Sequence, residues 1–75
     1  MNVNIYGKMA KVETLDEASQ KIRKFIEDKL IGGNRWYSKK NTGNVYDNNK
    51  LIAYISYNGR IWQSGSKYFD EIAEA

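Results

Sequence analysis

The densest grouping of side chains able to hold a ligand is Arg35-Trp36-Tyr37-Ser38-Lys39-Lys40. Cations interleaved with aromatic rings hold phosphates and stack bases when one surface presents them together. The surrounding charge suits an anionic partner. Residues 31–67 carry Arg35, Lys39, Lys40, Lys50, Arg60 and Lys67 against Asp47 alone, six minus one or +5, in a chain of net charge +3. The last eight residues hold Asp70, Glu71 and Glu74. A positive field confined to one half of a small protein steers anionic partners. Lysines on strand edges and turns also keep a sheet soluble, so the charge has a purely structural use as well.

Catalytic chemistry is far less well supplied. The chain has no histidine and no cysteine. That removes the commonest general base, the commonest metal ligands and any disulfide framework. A non-catalytic protein is therefore expected, with no metal and no cofactor. Gly32-Gly33 follows a helical pattern instead of preceding one, the wrong order for a phosphate-cradling loop. There is no Gly-Phe-Gly-Phe run of the RNA-binding type, and a pI of about 9.2 is only moderately basic. No run approaches the ~18 apolar residues of a membrane span. Met1-Asn-Val-Asn-Ile-Tyr-Gly-Lys8 also lacks the apolar region of a signal peptide. A cytoplasmic protein without membrane contact is the expectation.

The elements that position these residues follow from periodicity. The 75 residues make one domain, 1–75, with 41% hydrophobic side chains for a single core. Residues 2–6 and 9–13 alternate as two short strands around Gly7-Lys8, a first hairpin with Ala10 and Val12 on one face. Thr14-Leu-Asp-Glu17 has capping-box spacing, with Glu17 expected to reach back to the Thr14 N–H. Leu15, Ala18, Ile22, Phe25, Ile26 and Leu30 then form one apolar stripe of roughly 140° on a helix over about 14–31. Gly32-Gly33 is expected to end it in the left-handed conformation. Residues 35–39 read as a third strand or an extended segment, and Asn48-Asn49 as a tight turn before a long strand over 51–57. Lys67 to Ala75 is compatible with a short C-terminal helix, with Tyr68, Phe69 and Ile72 to dock it. The expected fold class is α+β: one amphipathic helix packed on a small antiparallel sheet, ββα and then a β-meander.

Asn58-Gly59 sets the last hairpin. Asn-Gly suits a two-residue type I′ turn, which places Ile55 opposite Trp62, Ser56 opposite Ile61 and Tyr57 opposite Arg60. Leu51, Ala53, Ile55, Tyr57 and Trp62 then share a face with Arg60 and are assigned to the helix side. Ile52, Tyr54, Ser56, Ile61 and Gln63 fall on the outer side. Tyr54 is thereby expected to be a half-exposed anchor near basic residues, the combination that dominates interaction surfaces.

Val45 to Trp62, preceded by the Thr14–Leu30 helix and Gly32-Gly33, resembles small proteins of phages and other mobile elements. Its plan, one helix over an antiparallel sheet with a late strand–turn–strand ending in Trp, is similar to that of some small type I anti-CRISPR proteins. The resemblance implies a stoichiometric inhibitor that binds a host protein or ribonucleoprotein complex in the host cytoplasm, such as a CRISPR–Cas effector. The chain is not acidic, which departs from inhibitors that mimic DNA charge. On this reading Arg35, Lys39, Lys40, Lys50, Tyr54 and Arg60 are the partner-binding residues. A basic nucleic-acid-binding module is the competing expectation, and monomer and edge-paired homodimer both stay open.

Overall fold

The computed structural model describes residues 1–63. Strands β1 (Asn2–Ile5) and β2 (Lys8–Lys11) form the first hairpin, followed by helices α1 (Leu15–Lys29) and α2 (Gly33–Ser38). Strands β3 (Asn44–Asp47), β4 (Lys50–Ile55) and β5 (Ile61–Gln63) complete a sheet of order β2-β1-β3-β4-β5. Every neighbouring pair is antiparallel. One long helix packed on a five-stranded antiparallel sheet is the α+β fold expected from the sequence. The C-terminal helix expected over Lys67–Ala75 lies outside the described residues.

The core forms where the two apolar surfaces meet. Val3 pairs with Ala10 on one side and Val45 on the other, and Val45 pairs with Ala53. Opposed residues share a face, so these form one row across the sheet. Val3, Val45, Ala53 and Ile55 are fully buried with Ala18 and Ile22 of α1. Each fully buried Val or Ile stabilises the fold by about 1.5–3 kcal/mol relative to leaving it in water.

Helix α1 starts as its spacing predicts, with one difference. The Thr14 hydroxyl accepts from the Glu17 N–H at 3.1 Å, while the Glu17 carboxylate accepts from the Glu13 N–H at 2.7 Å, one residue before the expected donor. At the other end Leu30, not a glycine, takes the left-handed position at φ 53°. Its backbone turns outward, leaving Leu30 86% exposed, and Ile31 takes the core place expected of it. Gly32 instead caps α2, its carbonyl accepting from the Trp36 N–H at 3.0 Å. The extended segment expected over 35–39 is therefore a short helix.

Turn geometry explains the larger corrections. Asn48 and Asn49 have φ of 51° and 65°, the signs a type I′ turn requires, and Tyr6-Gly7 at 53° and 95° follow the same pattern. Asn58-Gly59 does not. The Gly59 N–H donates to Ser56 O at 2.9 Å, the Ser56 N–H donates to Arg60 O at 3.0 Å, and Gly59 has φ 87°. This is a three-residue loop, Tyr57-Asn58-Gly59, whose glycine forms the bulge. Ile55 consequently pairs with Ile61, and Tyr54 with Trp62, one residue off the expected register. A one-residue slip exchanges faces. Ile61 packs on the core, and Trp62 lies on the outer face with Tyr54. A second irregularity in β4 acts likewise: Val45 pairs with Ala53 but Tyr46 with Leu51, leaving Ile52 as the extra residue of a bulge. Leu51 therefore lies on the outer face with Tyr46, and Ile52 packs against the core.

Candidate functional site

The hairpin that defied the expected register also lines a groove. Tyr37, Ser56, Tyr57, Asn58, Arg60 and Trp62 line an open depression of about 340 Å³ between α2 and the β4–β5 loop. Three contacts hold its backbone. The Tyr57 hydroxyl donates to Ile31 O at 2.8 Å, the Tyr57 N–H donates to the Tyr37 hydroxyl at 3.1 Å, and the Ser19 hydroxyl of α1 donates to Gly59 O at 2.6 Å. The Asn58 side-chain oxygen accepts from the Ser56 hydroxyl at 2.5 Å and from the Arg60 N–H at 3.3 Å, closing the loop on itself.

Arg60 is exposed, and its guanidinium lies 4.5 Å from the centre of the Trp62 ring. Such a cation–π contact restrains the long side chain over the ring. A guanidinium held this way directs its N–H edge toward a carboxylate or phosphate, which it binds in bidentate fashion. Arg60 and Trp62 were expected on one face and are together, but that face is the outer one.

The other expected site residues divide. Arg35, Lys39 and Lys40 are exposed on α2 and the turn after it, the same helix that supplies Tyr37 to the groove. The Lys39 ammonium lies 5.2 Å from the centre of the Tyr6 ring. Trp36, which the basic–aromatic cluster required as a stacking surface, is fully buried and stacked on Tyr6 at 6.3 Å, so it belongs to the core. Lys50 opens β4 at the opposite end from the groove, about 17 Å of strand away from Ile55. Tyr54 lies on the outer face as expected but is only 5% exposed, which corrects its role as an accessible anchor. Tyr57, Asn58 and Trp62 belong to the groove and were not among the expected site residues. Their signal was the loop length, since a three-residue reading of Tyr57-Asn58-Gly59 puts Trp62 outside.

Among the described residues no group of three His, Cys, Asp or Glu side chains stands together to hold a metal ion. None of their helices is long and apolar enough to cross a membrane. Compared with models of protein families, with curated proteins and with solved structures, the chain matches none.

Proposed function

We propose that the chain is a small non-catalytic binding protein that acts stoichiometrically on a host protein or ribonucleoprotein complex, with the Arg60–Trp62 groove as its contact surface. The observation that carries this reading is the exposed Arg60 guanidinium stacked on Trp62 beside the 52% exposed Tyr37. Arg, Trp and Tyr supply most of the energy of protein interfaces when held rigidly in a common patch. Tyr57, bonded at both its backbone and its hydroxyl, supplies the rigidity. Arg35, Lys39 and Lys40 extend the positive field on the Tyr37 side and favour an acidic partner surface. The narrower form of the proposal, a phage- or mobile-element-encoded inhibitor of a CRISPR–Cas effector, rests on the resemblance of the α1 and Val45–Trp62 segments. The non-catalytic reading rests on the absence of histidine and cysteine.

Capture from a host lysate by the immobilised chain tests the proposal. A partner retained by the wild type and recovered about tenfold less by Arg60→Ala, a loss of about 1.4 kcal/mol, supports it. Equal recovery by the two chains removes the groove from the interface. Direct nucleic-acid binding is the second reading, favoured by the exposed Tyr37 ring in a groove that also holds Arg60. Oligonucleotide anisotropy at two salt concentrations separates the two. Affinity that falls steeply with salt marks phosphate contacts, and no binding at micromolar protein eliminates them.

A further inference from the structure

Strand β2 is an edge of the described sheet, and one hydrogen bond beside it fixes which backbone groups face outward. The Val12 N–H donates to Met1 O at 2.9 Å, so the chain at Val12 faces β1. Antiparallel pairing alternates this direction along a strand. Lys8 and Ala10 therefore also face β1, and the N–H and C=O groups of Met9 and Lys11 point away from the sheet. The four paired positions of β1 and β2 run without a bulge, so the edge is regular. Protein edges are blunted by bulges, prolines or charged side chains. Only the last device is present here, as Lys8 and Lys11, both exposed. Between them Met9 is 55% exposed. Met9 and Lys11 share the outer face with Asn4 and Asn2, their partners on β1, and Lys8 lies on the opposite face with Ile5.

We propose that this edge takes an extended acidic segment of a partner protein as an added strand, antiparallel to β2 as every pair in the described sheet is. Two outward N–H groups and two outward carbonyls supply main-chain hydrogen bonds, and the side chains beside them supply selection. Directly opposed residues share a face. The segment therefore needs an acid opposite Lys11, an apolar residue two positions later opposite Met9, and an acid at the next position opposite Lys8. The charge of the strand favours this occupant over a second copy. Two β2 edges paired together would bring two lysines from each copy to one seam that holds no acid. Glu13 lies past the strand, and its N–H already donates to the Glu17 carboxylate. The edge is at the other side of the sheet from β5, so the inference stands apart from the Arg60–Trp62 groove.

The probe is a capped peptide, Thr-Glu-Val-Ile-Glu-Thr, titrated into the nitrogen-15-labelled full chain. The amide signals of Met9 and Lys11 should shift more than those of Arg60 and Trp62. Lys8→Glu with Lys11→Glu should weaken binding about tenfold, and the peptide with lysine in place of both glutamates should recover it on that variant. Met9→Pro removes an outward N–H that the sheet does not use, a place where an edge strand accepts proline, and should also weaken binding about tenfold. The charge exchange tests the proposal whether or not the proline variant folds. No shift at about 1 mM peptide overturns it, as do shifts centred on Arg60 and Trp62, or equal binding of the two peptides by the wild type. A doubled mass in light scattering that Met9→Pro returns to a single chain identifies a second copy on the edge, and that also overturns it.

Discussion

The two hairpins that share β4 are built differently. The β3–β4 hairpin is closed by Asn48-Asn49, and backbone hydrogen bonds of Gly43 lock its open end, with the Thr42 hydroxyl accepting from the Tyr6 N–H at 2.9 Å beside them. The Gly43 N–H donates to Asn4 O at 2.7 Å, and its carbonyl accepts from the Ile55 N–H at 2.9 Å. The β4–β5 hairpin has three paired positions, and its loop is held by the side chains of Ser19, Tyr37 and Tyr57. The first is scaffold. The second carries Arg60 and Trp62, the residues best suited to bind. Binding residues on a loop braced by a rigid scaffold are a common division of labour. The comparison teaches that the geometry of this site depends on side-chain ties that can be cut without destroying the sheet.

The largest expected effect separates the hairpins through a glycine in each. A Cβ on Gly43, at φ 90°, would stand 2.3 Å from the Ile55 carbonyl oxygen, a backbone atom that cannot yield. Gly43→Ala should cost about 3 kcal/mol or more in urea unfolding, from strain and overpacking together. A Cβ on Gly59, at φ 87°, would meet Arg23 Cδ at 2.5 Å, Arg23 Cγ at 2.9 Å and the Ser19 hydroxyl oxygen at 3.1 Å, side-chain atoms that yield more readily than a backbone carbonyl. Gly59→Ala should cost about 1–2 kcal/mol, mostly for the backbone conformation. Equal losses at the two positions would show that the β4–β5 loop is as constrained as the scaffold.

Tyr57→Phe cuts a single tie. It removes the donor to Ile31 O and should cost about 1 kcal/mol. The loss should be local. Amide hydrogens of Ser56 and Gly59 should exchange faster, while those of Val45 and Ala53 keep their protection relative to global unfolding. A uniform rise across the sheet would mean that Tyr57 supports the core and not the loop.

The scaffold was more legible in the sequence than the site for the same reason. Helix α1 has a stripe, a cap and enough length for each signal to support the others, and Asn48-Asn49 joins Asp47 and Lys50, which pair directly across a two-residue turn. Asn58-Gly59 fits a two-residue loop and a three-residue loop equally well by local chemistry. The choice is made by Ser19 and Ile31, which lie 40 and 26 residues away from their partners. The bulge at Ile52 leaves no mark in an alternating apolar run. In α2 a single buried side chain, Trp36, anchors six residues that have neither helical nor strand periodicity. The loop decides whether Ile61 and Trp62 face core or solvent, the bulge does so for Leu51 and Ile52, and α2 for Trp36, so the site could not be read until the fold was.

The smallest effect gives the sharpest contrast, because one substitution changes sign between the two turns. Asn49 adopts φ 65°, a region that asparagine tolerates and glycine prefers. Asn49→Gly should therefore raise stability by a few tenths of a kcal/mol, completing the Asn-Gly pair that type I′ turns favour. Asn58 has no positive φ, and its side-chain oxygen accepts from both Ser56 and Arg60. Asn58→Gly removes those acceptors and adds freedom to the unfolded chain, so it should lower stability by about 0.5–1 kcal/mol. Thermal unfolding of the two variants beside the wild type reads both signs. Stabilisation by Asn58→Gly would instead favour a two-residue turn, and with it the register that returns Trp62 to the core and takes Arg60 out of the groove.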